Sequence, residues 1–244
     1  MLTLLRKKYR NWVASDHKLR KLRTSLHYYL FREKLWKELV SADAQGKFTT
    51  IYRNNLWNNE ESKSGGGSTV RRTSLIRDKL PAFLKENNIM SVCDAGCGDF
   101  NWMNHVDMGQ TIYIGVDIVR DMIEANKVLY GNERRRFIEL DIISESVPKV
   151  DLIFCRQCLL HLSLSDIRAA LVNFKSSMSM YLLATHHPNV EQNVDIITGG
   201  CRGVNWIRPP FNFPDPITTI GEDYSNQCLA LWRLEDIKPE LFGL

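Results

Sequence analysis

The stretch Ile89-Met90-Ser91-Val92-Cys93-Asp94-Ala95-Gly96-Cys97-Gly98-Asp99-Phe100 decides the fold. A short apolar run reaches an acid and then a turn with two glycines. Glycine is the residue that lets a backbone turn tightly and approach a ligand closely. Outward from it, strand and helix signals alternate. Thr111–Val116 reads as a second strand ending at Asp117, and helix signals follow from Val119 to Tyr130. Arg136–Leu140 is a third strand ending at Asp141. Val150–Phe154 is a fourth and runs into Cys155-Arg156-Gln157-Cys158-Leu159-Leu160-His161. A helix starting at Ser165-Asp166 precedes a fifth strand, Tyr181–Ala184. Ile217–Ile220 and Cys228–Leu234 form a closing hairpin at the sheet edge. Such alternation predicts an α/β, doubly wound sheet, mostly parallel, with ligands beyond the carboxyl ends of the strands. Further helices are expected after Phe100 and from Ser68 or Thr69 through Leu84, the latter kinked or split at Pro81.

The acids Asp94, Asp117 and Asp141 all fall at strand ends. Asp117 lies where a carboxylate accepts hydrogen bonds from ribose hydroxyls, a spacing that suits NAD as well as other adenosine nucleosides. A dinucleotide fingerprint needs a third glycine at position 101, where Asn101 stands. Asp94 beside the turn disfavours a pyrophosphate and suits a ligand with a positive ammonium or sulfonium. These features favour S-adenosyl-L-methionine (SAM) over NAD.

Val92-Cys93-Asp94-Ala95-Gly96-Cys97-Gly98 resembles the first motif of class I SAM-dependent methyltransferases. Tyr113-Ile114-Gly115-Val116-Asp117-Ile118 is similar to their second motif and Glu139-Leu140-Asp141-Ile142 to their third. Asp151-Leu152-Ile153-Phe154-Cys155-Arg156, followed by His161-Leu162, is similar to the fourth-strand motif. The resemblance covers about residues 68–235 and implies a Rossmann-like methyltransferase domain that releases S-adenosylhomocysteine. It implies that Asp94 and the loop of Gly96, Cys97 and Gly98 hold the methionine moiety. Asp117 would take the ribose and Asp141 the adenine amino group, with Ile118 and Ile142 in the same cofactor set. Phe100 departs from the pattern, because many members carry a third glycine there. A narrower similarity rests on Trp57 with Glu61-Ser62-Lys63-Ser64-Gly65, on Asp99-Phe100-Asn101-Trp102, and on Thr198-Gly199-Gly200 through Pro210-Phe211. These resemble methyltransferases encoded in bacterial capsule and O-antigen polysaccharide clusters, some of which modify phosphoramidate or sugar groups.

Methyl transfer is an in-line displacement, so the protein mainly positions the acceptor, which can contribute about 7–11 kcal/mol. An alcohol must also lose a proton. His161, just past the fourth strand, is the candidate base; a structural histidine at the sheet edge is the alternative. His186 and His187 beyond the fifth strand are rival acceptor contacts. Arg156 is read either as a ligand for an anionic acceptor or the SAM carboxylate, or as half of an ion pair. The long irregular stretch 187–216, with Trp206, Phe211 and Phe213, reads as a lid over the acceptor pocket. Cys93, Cys97, Cys155 and Cys158 could be weighed as zinc ligands, but Cys93 falls in a buried strand and Cys97 in the cofactor loop, so no metal is expected.

Three parts follow: a basic helical extension (1–45), a connecting and active-site segment (46–68) and the methyltransferase domain (69–244). Residues 1–40 carry 11 Lys/Arg against three acids. With leucines and aromatics at spacings of three and four from Leu19 to Leu39, they read as an amphipathic helix. Such a helix packs on a domain, docks a partner, or lies on an anionic inner-membrane surface. Ser64–Ser68 reads either as a plain linker or as an anion-friendly turn before a helix. With 32 Lys/Arg against 28 Asp/Glu, the net charge of +4 is too mild to argue for nucleic acid. No Asn-Pro-Pro-Tyr-like motif follows the fourth strand. Six cysteines are not a disulfide framework, and no signal peptide or 18-residue apolar run is evident, so a cytoplasmic chain is expected. The expected acceptor is a small or glycan-linked molecule, methylated at oxygen. The alternatives are N-methylation of a small molecule and a catalytically silent SAM-binding scaffold.

Overall fold

The computed structural model describes residues 41–223 and 226–238. The chain divides into two units, residues 1–43 and 44–244. The basic helix expected over residues 1–40 lies outside the described residues.

The second unit opens with helix α1 (Ala44–Arg53), which crosses the boundary expected at residue 45. Helix α2 (Ser74–Glu86) follows, then β1 (Ser91–Ala95), β2 (Ile112–Asp117), α3 (Arg120–Tyr130) and β3 (Arg135–Glu139). Next come β4 (Leu152–Cys155), α4 (Leu164–Ser176), β5 (Tyr181–His186), β6 (Thr218–Gly221) and β7 (Cys228–Arg233). The strands form one sheet in the order β3-β2-β1-β4-β5-β7-β6. The first five are parallel, and β7 runs antiparallel to both β5 and β6. The doubly wound sheet with an antiparallel edge hairpin is therefore present.

Strand pleat explains why both faces are covered. Along β4, Leu152 and Phe154 point to the side packed by Ile76, Leu80 and Leu84 of α2. Ile153 and Cys155 point to the side packed by Ile167, Leu171 and Phe174 of α4. All four β4 residues are buried, as expected for a central parallel strand. Strand order reverses between β1 and β4, and a crevice opens beyond their carboxyl ends at that switch point.

Three local expectations are corrected. The segment after Phe100 forms a single 3-10 turn, Met103–His105, because Phe100 adopts a left-handed φ of 58° that no helix continues. Helix α2 is one helix across Pro81 and is not split there, since burial of Ile76, Leu80, Phe83 and Leu84 outweighs one missing backbone bond. Helix α4 is capped by Ser163, whose hydroxyl accepts the Asp166 N–H at 3.1 Å, so it starts before Ser165. Among the described residues, no helix is long and apolar enough to cross a membrane.

Candidate active site

The turn after β1 is tied to β2, where the Val116 carbonyl accepts the N–H groups of Gly96 (2.9 Å) and Cys97 (3.0 Å). Gly96 has φ 82°, and a Cβ there would lie 2.6 Å from Cys158 Sγ, so the turn admits only glycine. Asn126 of α3 donates its Nδ2 hydrogen to the Gly98 carbonyl at 2.8 Å. Phe100, in place of a third glycine, keeps a conformation that glycine adopts freely. Its ring is buried against Tyr113, Tyr130 and Phe137, with centroids 5.0–5.2 Å away, and this packing offsets the backbone cost.

The three acids meet at one cavity of about 1000 Å³, open mouth included. Asp94 is buried and accepts the Tyr113 hydroxyl at 2.6 Å. Burial pushes its carboxyl up to about 7, against the opposing pull of that hydrogen bond. Asp117 accepts the N–H groups of Gly98 (3.1 Å) and Val119 (3.0 Å), and burial raises it to about 6. Asp141 caps its own turn, accepting the Ile143 N–H (2.9 Å) and the Ser144 hydroxyl (2.8 Å). Gly96, Cys97, Gly98, Ile118 and Ile142 line the same cavity, which brings together every cofactor residue expected from the sequence.

The segment before α2 is an ordered wall. Ser62 Oγ donates to Asp99, Lys63 N donates to Asp99 Oδ2 at 2.8 Å, and Asp99 N donates back to Ser64 Oγ at 2.8 Å. Glu61 Oε1 accepts from Val70 N (2.6 Å) and from Asn101 Nδ2 (2.9 Å). Lys63, Ser64 and Ser68 thereby face the cavity, so the glycine-serine run does not behave as a tether. Phe48 and Tyr52 of α1 and Trp57 also line it. The sequence reading gave Phe48 and Tyr52 no role; their spacing of four, one face of a helix, was the available signal.

His161 lies in the cavity wall, in a 3-10 turn after β4. Its Nδ1 faces the Gly200 carbonyl at 2.6 Å, and since a carbonyl only accepts, Nδ1 carries the hydrogen. The ring lies 5.1 Å from that of Trp57. Burial holds its pKa below the ordinary histidine value, against the raising effect of the Gly200 bond. Nε2 is thus an unprotonated acceptor at neutral pH. Arg156 is buried and donates Nε to Glu222 at 2.5 Å and Nη1 to the Gly67 carbonyl at 3.0 Å. The ion-pair reading of Arg156 is therefore present, and Arg156 still lines the cavity.

Other expectations differ. His186 does not line this cavity: its Nδ1 accepts the Trp206 N–H at 3.4 Å and its ring stands edge-on to Trp232. Burial lowers its pKa to about 4. His187 Nδ1 likewise accepts the Val204 N–H at 3.1 Å. Trp206, Phe211 and Phe213 are buried in the core beside Trp232, and none faces the cavity. Large rings gain more from burial under the sheet than from a solvent-facing lid, so Val204, Trp206, Phe211 and Phe213 are core while Ile207, Arg208, Pro209 and Asn212 between them stay exposed. Within the wider stretch 187–216, the Gly200 carbonyl reaches the site through His161. Cys155 is buried against Cys158, and among the described residues no group of three or more His, Cys, Asp or Glu could hold a metal ion.

No family model matches the chain, and a search of curated proteins gives no match. Solved structures do resemble it. Magnesium protoporphyrin IX methyltransferase from Synechocystis, with bound SAM, is similar at a TM-score of 0.54 and 15% identity, over 79% of this chain and 98% of that one. N-methyltransferase NodS from Bradyrhizobium japonicum, in complex with S-adenosylhomocysteine, gives 0.54 and 14%, over 75% and 97%. Human N-acetylserotonin methyltransferase with SAM gives 0.56 and 15%, over 86% and 67%. At these identities the likeness is one of architecture, and the chain has the class I, Rossmann-like methyltransferase fold.

Proposed function

We propose that the protein is a SAM-dependent methyltransferase acting at oxygen on a small or glycan-linked acceptor of sugar or phosphate type. The observation that carries this reading is the placement of His161 Nε2, unprotonated, in the wall of the cavity that holds Asp94, Asp117 and the Gly96–Gly98 turn. The residues fit the cofactor. The glycine turn leaves no room for a Cβ, Asp117 offers lone pairs to a ribose, and Ile118, Leu140 and Ile142 give an apolar bed for adenine. Asp94 supplies negative charge for an ammonium or sulfonium.

SAM supplies an electrophilic methyl on a sulfonium whose thioether leaves uncharged. His161 Nε2 takes the proton of the acceptor hydroxyl as that oxygen attacks, and the Gly200 carbonyl stabilises the imidazolium through Nδ1–H. Trp57, its ring 5.1 Å away and tilted by 32°, covers one side of the imidazole and excludes water there. The similarity to capsule and O-antigen methyltransferases supports the glycan-linked acceptor, and the basic extension supports a place at the inner-membrane surface of the cytoplasm.

Calorimetric titration with SAM, S-adenosylhomocysteine and NAD tests the cofactor. Micromolar binding of the first two, weakened at least tenfold in Asp117→Ala, is expected from lost charge-assisted bonds. Binding of NAD alone, or of none, would overturn the reading.

A further inference from the structure

Arg202 does not line the cavity, yet it grips the turn that carries His161. The backbone first laces that turn to the segment around Gly200. Gly199 N donates to the His161 carbonyl at 2.8 Å, and Arg202 N donates to the Leu160 carbonyl at 3.2 Å. Between these two bonds the Gly200 carbonyl accepts His161 Nδ1–H. One side chain then spans both strips. The Arg202 guanidinium donates Nη1 to the Leu159 carbonyl at 3.1 Å and Nε to the Val194 carbonyl at 3.3 Å. A planar fork can hold two carbonyls in a fixed relation, which a lysine ammonium does less well.

The fork is charged, and no carboxylate cancels it. Among the described residues none lies within ion-pair distance of Arg202. Asp195, the nearest acid to act on it, spends Oδ1 on the N–H groups of Leu164 and Ile196. A half-buried cation disfavours a second positive charge beside it. The cavity wall around His161 brings Asp94, Asp117, Asp141, Lys63 and Arg156, and α4 brings Asp166, which Thr198 engages. Of the charged groups, Arg202 is the one that bears on the imidazole, and it opposes protonation.

We infer that Arg202 is a positioning residue for His161, a fixed fork that holds the Gly200 carbonyl on Nδ1–H and leaves Nε2 bare to the cavity. The inference rests on the reading of His161 as the base of a methyltransferase.

The test is NMR of the histidine rings in the full chain, which needs no acceptor. His161→Gln assigns the signals, and the ring nitrogen shifts report both tautomer and titration. In wild type the neutral ring should carry its hydrogen on Nδ1 and titrate below the ordinary value of 6.5. In Arg202→Met the ring should move toward the Nε2–H form that a free imidazole prefers in water. Its midpoint should rise by about half a unit as the cation is lost. Arg202→Lys, which keeps the charge, should restore most of the midpoint and less of the tautomer. Circular dichroism follows folding. Loss of stability lowers the folded fraction and moves neither reading in the molecules that remain folded. If Arg202→Met does not fold, Arg202→Gln carries the same comparison. The wild-type tautomer is a test by itself, since a hydrogen on Nε2 would overturn the inference. So would a folded Arg202→Met with tautomer and midpoint unchanged. S-Adenosylhomocysteine, titrated calorimetrically into wild type and Arg202→Met, separates the two readings. If it binds both alike while the ring signals do not move, the positioning role is refuted and the methyltransferase reading stands. If it binds neither while the ring responds as stated, the positioning role stands and the methyltransferase reading falls.

Discussion

The Nδ1–H of His161 donates to the carbonyl oxygen of Gly200 across 2.6 Å, joining the turn after β4 to a segment 39 residues further along. That bond fixes the tautomer and turns Nε2 outward as an acceptor, the form a general base requires.

His161→Ala should lower kcat by about 10²–10⁴-fold, the usual worth of general-base catalysis. S-Adenosylhomocysteine affinity should stay within about twofold of wild type. The acid limb of the kcat profile should have its midpoint below the ordinary histidine value, because burial disfavours the imidazolium. Turnover unchanged by the substitution would remove His161 from the mechanism.

Asp94 gives a stability effect and a binding effect of opposite sign. Its folded pKa, about 7, lies above the unfolded value of 3.8, so the native state holds the proton more tightly. Its contribution to stability is complete below the unfolded value and is lost as pH rises through about 7. Asp94→Asn should therefore raise Tm at pH 8, by about 2–4 °C for each kcal/mol recovered. It should also weaken SAM binding, since the ionised carboxylate is the form that faces a cation. Thermal melts at pH 5 and pH 8 would check this: a gain at pH 5 as large as at pH 8 would contradict the assignment.

Gly96→Ala should abolish cofactor binding. The new Cβ would fall 2.6 Å from Cys158 Sγ at a φ of 82°. Gly96→Ala/Cys158→Gly, which removes both Sγ and the Cβ 2.7 Å away, relieves the contact but not the dihedral, so it should recover only part of the affinity by calorimetry. Full recovery would mean that the close approach, and not the backbone conformation, is what excludes a side chain.

Phe100→Ala should cost about 3–5 kcal/mol of stability, the range for emptying a buried phenylalanine site. It removes three ring contacts while leaving a non-glycine residue at φ 58°. Phe100→Gly should be less destabilising than Phe100→Ala, the reverse of the usual order, because glycine adopts that φ without strain. Denaturant melts showing Ala as the milder change would mean that the backbone there carries no strain.

Much of the architecture is legible because local chemistry specifies it. A parallel sheet buried on both faces needs near-continuous apolar strands, and Val92-Cys93 and Leu152-Ile153-Phe154-Cys155 are such runs. The acids at the ends of β1, β2 and β3 must share a crevice in any sheet wound this way, so their meeting at one cavity is legible from spacing, whereas their assignment to parts of a cofactor came with the family resemblance. Phe100 shows where spacing fails: its φ depends on rings from Tyr113, Tyr130 and Phe137, brought close only by the folded sheet.

The sequence by itself determined the sheet, its switch point and the row of Asp94, Gly96, Gly98, Asp117 and Asp141, because these depend on periodicity and on residues near in the chain. The tertiary structure alone decided which histidine faces the cavity: the sequence puts both beyond strands, whereas His186 is the last residue of β5, packed on Trp206 and Trp232, and His161 stands in the turn after β4. It also decided that Trp206, Phe211 and Phe213 are core and not lid, and that residues 61–68 are pinned by Asp99 and Asn101. Each of these turns on contacts between residues far apart in the chain, whose energies exist only once the sheet has brought them together.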